Sequence, residues 1–297
     1  MGEKAQEALK LQFDKRLRLE FRGARITSEY HLGWFSTGRD KAARDLLKVV
    51  WEDIRQGKIK AEISFVFSNR EPGETRESDR FFELVKGYHL PLICFSSRKF
   101  QPQRRSEALA QWRLQYDREV MRQLEGFQTD LCVLAGYMLI VGREMCQRYK
   151  MINLHPAAPG GPTGTWQEVI WKLMEDKAER TGAMMHLVTP ELDKGPAVTF
   201  CTFSIRGKPF DQHWREVEGL SVEQVKKEQG ENNPLFRLIR KHGLAREFPL
   251  ITATIKAFSE GRVRIEQDKV IGADGKPVNG YDLTLEIDKI VRRKGSE

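Results

Sequence analysis

Short apolar runs recur along the chain, and between them the apolar positions spread to helical spacing. The runs at 30–36 (YHLGWFS), 63–67 (ISFVF), 90–95 (LPLICF), 131–135 (LCVLA) and 151–154 are rich in β-branched and aromatic residues, which predicts strands. The run 131–135 is nearly all apolar, as expected of a strand covered on both faces. Between the runs, 40–56 places Ala42, Ala43, Leu46, Leu47, Val50 and Ile54 on one side, predicting an amphipathic helix. Further helices are predicted over 77–86 and 142–148, with one long helix over 104–125. Gly38, Ser68-Asn69 and Pro72-Gly73 punctuate the pattern as turn formers. Strand and helix alternating in this way predict an α/β fold with a doubly wound, mostly parallel, Rossmann-type sheet.

Outside this repeat, 3–22 carries Ala8, Leu9, Leu11, Phe13, Leu17 and Leu19 at helical spacing and reads as an N-terminal helical extension. Residues 184–188 and 197–205 read as further strands. The polar stretch 207–241 reads as helices around a surface loop, 248–258 as a helix, and 262–266 with 269–271 as a short pair of strands. The organisation this predicts is an extension over 1–24, a catalytic domain over 25–260, and a small β element with its tail over 261–297.

Composition narrows the class. No apolar run approaches the ~20 residues needed to span a bilayer. The charged N-terminus lacks the apolar segment of a secretory signal, so the reading is cytoplasmic, without membrane partners. The four cysteines form no C-x-x-C pair, which argues against a zinc site; they read as free buried thiols in a reducing compartment. The formal charge of +8 favours anionic partners, with basic clusters at 15–25, 98–105 and 292–294. Small molecules are the expected partners, and nucleic acid is not.

In a doubly wound sheet ligands sit beyond the carboxyl ends of the strands, near the point where strand order reverses. The loops after Phe35, Ala135 and Leu154 are therefore the ones to search. Asn153 and His155 lie two apart on one strand and point the same way. Asp193 sits in a turn between two later strands. An amide, an imidazole and a carboxylate suit acyl transfer to an amine: preorganised donors meet the developing oxyanion, and a histidine moves the proton. Spacing alone leaves the reaction open, because Asn-x-His is common and an Asp before Lys-Gly is an ordinary turn former.

Several separate motifs occur together in one order: residues 133–138 (VLAGYM), 152–156 (INLHP), 181–188 (TGAMMHLV) and 191–196 (ELDKGP). In this the chain resembles the formyltransferase family that uses 10-formyltetrahydrofolate. The resemblance runs from about residue 32 to 281 and includes Phe67-Ser68-Asn69, Tyr116-Asp117-Arg118-Glu119 and Phe248-Pro249-Leu250. It implies that His155 is the catalytic imidazole, that Asn153 holds the formyl oxygen, and that Asp193 sets the protonation and geometry of His155. Tyr137, Met138, Leu139, Ile140 and Val141, with Glu191 in the turn before Asp193, are implied to line the pterin pocket. Arg113 matches a family arginine that contacts substrate phosphate. His186 reads as a structural residue beside the site. No metal is implied, and a homodimer stays open.

The chain also departs from the family. The first loop, glycine- and serine-rich in the family, reads Ser36-Thr37-Gly38-Arg39-Asp40-Lys41 here. That leaves Gly38, Arg39 and Lys41 as the candidates for holding a phosphate by side chains. Leu139 stands for a family arginine, Leu244 for an acidic residue, and the loop after His155 is Ala157-Ala158-Pro159-Gly160-Gly161. The acceptor implied is phosphoribosylglycinamide, of purine biosynthesis. The alternatives are another amine, such as an amino sugar nucleotide, or a non-catalytic anion binder on the same fold.

Overall fold

The structure, a computed structural model, describes residues 30–294. The helical extension expected over 1–24 lies outside the described residues. In chain order the elements are β1 Tyr30–Phe35, α1 Lys41–Arg55, β2 Ala61–Ser68, α2 Arg76–Gly87, β3 Leu92–Cys94, α3 Pro102–Glu107, α4 Leu109–Gln123, β4 Leu131–Leu134, α5 Arg143–Arg148 and β5 Met151–His155. They continue with α6 Trp166–Glu175, β6 Arg180–Leu187, β7 Ala197–Ser204, α7 Phe210–Glu216, α8 Val222–Glu228, α9 Pro234–Ser259, β8 Val263–Glu266, β9 Lys269–Gly272, β10 Tyr281–Asp282 and α10 Thr284–Lys294.

Eight strands form one sheet in the order β10-β7-β6-β5-β4-β1-β2-β3, and only β6 runs against the others. The chain leaves β1 toward β2 and β3, then returns to the other side of β1 for β4 and β5. The switch point therefore lies between β1 and β4. Strand side chains alternate between two apolar layers, as pleating requires. Leu32, Trp34, Val66, Val133 and Ile152 face the layer closed by α1, α2, α9 and α10. Phe35, Phe65, Phe67, Cys132 and Leu134 face the layer closed by α4 and α5, through Trp112, Tyr116, Val120 and Met145.

Three segments differ from the pattern reading. The helix over 104–125 is broken at Ala108, whose backbone (φ −144°, ψ 62°) leaves helical geometry and separates α3 from α4. The 207–241 stretch is a packed layer: Phe210, Trp214, Val225, Leu235 and Phe236 are buried against Val169, Ile170 and Phe203. Its last part opens α9, which runs for 26 residues through Pro249 because Leu250, Ile251, Ala253, Ile255 and Ala257 are buried against the sheet. The segment after Gly261 holds the β8–β9 hairpin, then β10 and α10. Leu283 and Ile287 join the main core, so this part of the chain completes the sheet. Among the described residues no helix is long and apolar enough to cross a membrane.

Candidate active site

Ile152 and Leu154 pack on the α1/α9 side of the sheet, so Asn153 and His155 stand on the opposite face. Antiparallel pairing sets Asn153 opposite His186. The β6–β7 connection then folds back tightly. A Cβ on Gly195 would lie 1.7 Å from the Leu187 carbonyl oxygen, so only glycine fits there. This brings Asp193 over the two histidines, at φ +54°, a left-handed conformation that aspartate tolerates at some cost.

Asp193 Oδ2 lies 3.7 Å from His155 Nδ1, and its Oδ1 lies 3.5 Å from His186 Nε2. Gly164 N–H donates to Asp193 Oδ2 at 3.2 Å. That amide precedes the N-cap of α6, where Thr165 and Glu168 form a capping box, and a helix N-terminus favours a carboxylate. Burial pushes the Asp193 carboxyl up, but the His186 contact, the charge of His155 and the Gly164 N–H outweigh it and hold it below its ordinary value. All three side chains are at least nine-tenths buried.

Tautomers follow from the partners. His155 Nε2 sits 2.8 Å from the Pro162 carbonyl oxygen and must donate to it, so Nδ1 turns to Asp193. His186 Nδ1 faces the Leu187 carbonyl oxygen at 3.0 Å, and its Nε2 lies 3.1 Å from Asn153 Nδ2 and 3.5 Å from Asp193 Oδ1. The His155 imidazole is 2% exposed, with the Pro- and Gly-rich loop drawn over it. A cavity of about 460 Å³ bounded by Tyr30, Asp130, Lys150 and Ile265 lies instead by the amino ends of β1 and β4.

The loops flanking the switch point are bolted together. Thr37 N–H donates to the Gly136 carbonyl at 3.0 Å, and Met138 N–H donates to Thr37 Oγ1 at 2.9 Å. Tyr137 and Val141 are buried, Leu139 and Ile140 half-buried, and Met138 exposed. The Tyr137 ring meets Phe35 edge-on, with centroids 5.7 Å apart. Asp117, on α4, accepts the Gly142 N–H at 2.6 Å and so fixes the end of the 136–142 loop. Arg113, one turn earlier, lies against the same junction.

The remaining candidates lie apart from this cluster. Glu191 is exposed and paired with Lys194 at 3.4 Å. Arg39 pairs with Asp40 at 3.4 Å, and Lys41 pairs with Asp45 on α1. The reading of single residues placed His186 beside the site but did not name its contacts with Asn153 and Asp193. Only the strand register reveals them.

A formyl transferase family model matches residues 41–206, more than half of the chain. The chain belongs to the formyl transferase family. It is 27% identical over 242 residues to phosphoribosylglycinamide formyltransferase of Haemophilus influenzae, an alignment covering 79% of this chain and 92% of that one. To the Escherichia coli protein of the same name it is 27% identical over 158 residues, covering 51% of this chain and 64% of that one. The solved structure of a phosphoribosylglycinamide formyltransferase from Coxiella burnetii superposes with a TM-score of 0.60 at 18% identity, covering 86% of this chain and 99% of that one, a likeness of fold.

Proposed function

We propose that this chain transfers the formyl group of 10-formyltetrahydrofolate to a primary amine, with Asn153, His155 and Asp193 at the reacting centre. The observation that supports this most is the meeting of an amide, an imidazole and a carboxylate, from β5 and the β6–β7 connection, in one buried cluster. In the reaction the amine lone pair attacks the formyl carbon, and the carbonyl π electrons move to oxygen. The Asn153 amide and a protonated His155 oppose that charge. The carbon–N10 bond then breaks, and its electron pair returns to N10 of the folate. The attacking nitrogen gives up one proton and N10 takes one, with His155, held by Asp193, as the relay. No covalent enzyme intermediate is required.

Two donors must turn from their present partners to the substrate. The His155 Nε2–H now goes to Pro162, and the Asn153 amide to His186. Substrate binding would lift the 156–164 loop, whose Gly160, Gly161 and Gly164 permit the change. Residues 137–141 would present backbone groups to the pterin, with the turn at Glu191 closing its far side. Arg113, at the foot of this loop, would meet an anionic group of either substrate.

Phosphoribosylglycinamide, the acceptor in the relatives' names, is the reference acceptor, and an amino sugar nucleotide is the next to assay. The test follows loss of 10-formyltetrahydrofolate with each amine, for wild type and Asn153→Ala. Amine-dependent loss slowed at least ~100-fold in the variant is the expected result. Absence of amine-dependent loss with every acceptor refutes the proposal.

A further inference from the structure

In a doubly wound sheet the first helix starts at the switch point, and its free N–H groups are the natural cradle for an anion such as a phosphate. In this chain a carboxylate of the protein itself already sits at that cradle. The N-cap of α1 is Asp40, in extended conformation (φ −154°, ψ 177°), and its Oδ1 accepts the Ala43 N–H at 3.0 Å. A carboxylate thus occupies the positive end of the helix.

Three amides of the preceding loop are taken as well. Ser36 N–H donates to the Phe67 carbonyl, Thr37 N–H to the Gly136 carbonyl and Gly38 N–H to Ser36 Oγ. Gly38 cannot be rearranged freely, since it sits at φ +63° with its Cβ position 2.9 Å from the Phe81 ring. The nearby cations are neutralised one by one: Arg39 by Asp40, Lys41 by Asp45, Arg44 by Glu77. A phosphate arriving here would meet a fixed carboxylate and no unpaired cation on this helix turn.

We propose that Asp40 is a specificity-determining residue that closes the N-terminus of α1 to phosphate, so that the preferred acceptor amine carries an uncharged or cationic group at this point. This rests on the formyl-transfer reading of the Asn153, His155 and Asp193 site and narrows its substrate class. Phosphoribosylglycinamide would then be handled without help from the helix terminus, and poorly.

The test has two arms. In the first, backbone amide NMR signals of Lys41, Ala42 and Ala43 are followed while inorganic phosphate is added to wild type, Asp40→Gly and Asp40→Asn. The wild-type signals should stay put, and Asp40→Gly should show a saturable shift, since glycine leaves the cap amides free at little cost in helix stability. Asp40→Asn, which keeps a capping oxygen without the charge, should shift less than Asp40→Gly. Saturable shifts in wild type, or none in Asp40→Gly, overturn the proposal.

In the second arm, kcat/KM is compared for phosphoribosylglycinamide and its dephosphorylated counterpart. Wild type should show no preference for the phosphorylated acceptor, and Asp40→Gly should gain ~10-fold or more toward it, the scale of a hydrogen bond to a charged group. A wild-type preference for the phosphate overturns the proposal. No turnover of any amine by either protein would remove the formyl-transfer reading while the amide titration still decides on Asp40.

Discussion

Replacing Asp117 with asparagine should stabilise the protein at neutral pH. The carboxyl is buried under α5, beneath the loop that ends at Gly142. Burial, opposed by the Gly142 N–H and the charge of Arg113, pushes it from 3.8 up to about 6. An acid whose value is raised on folding is bound to its proton in the folded chain while the unfolded chain has already lost it. Stability therefore falls as pH rises between the two values, and the cost is complete above pH 6. A rise of about two pH units corresponds to ~3 kcal/mol.

An asparagine oxygen can still accept the Gly142 N–H, so the carboxamide keeps the bond and drops the charge. Urea unfolding of both proteins across pH about 4.5 to 8 gives a difference curve free of the other groups. The variant should exceed wild type by ~1 kcal/mol at pH about 4.5, where part of the cost is already present, and by ~3 kcal/mol at pH 8. A flat difference, or a variant less stable at pH 8, refutes the reasoning and would mean that ionised Asp117 is held favourably by Arg113.

Other outcomes follow from single contacts. Asp288→Ala removes the partner of Arg246, whose guanidinium lies 3.0 Å from Asp288 and 4.2 Å from the Phe203 ring centre; it should cost about 2 kcal/mol of stability, read by the same urea titration. Gly195→Ala drives a methyl into the Leu187 carbonyl and displaces the Asp193 turn, so activity should fall at least ~100-fold even where circular dichroism reports a folded chain. Burial pushes the thiols of Cys132 and Cys201 up to about 12, so a thiol reagent at neutral pH should leave both unlabelled until denaturant is added.

Much of the fold is legible in the sequence because the central strands are short, apolar and separated by amphipathic segments. Leu131–Leu134 shows no alternation for the physical reason that both of its faces are covered. What is not legible depends on tertiary packing. Nothing local around Ala108 marks the break between α3 and α4. The apolar pattern begins a helix at Phe248, beside Pro249, whereas the helix already runs from Pro234 and continues through Pro249. Leu283, Ile287 and Val291 repeat every four residues and mark α10, yet the neighbouring charges disguise it as a tail.

The site divides in the same way. Asn153 and His155 share a face by strand geometry alone. Asp193 joins them only through the fold-back at Gly195, and His186 only through the β5–β6 register. The capping role of Asp40 follows from a side-chain conformation that the sequence leaves open.

The most direct measurement of the account supplies 10-formyltetrahydrofolate labelled with carbon-13 in the formyl group and follows the label by NMR with an amine acceptor present. Wild type should deliver the label to the acceptor nitrogen as a formamide, and His155→Ala and Asp193→Asn should slow that delivery at least ~100-fold. Label reaching the acceptor at the wild-type rate in His155→Ala, or appearing only as formate in wild type, would contradict it.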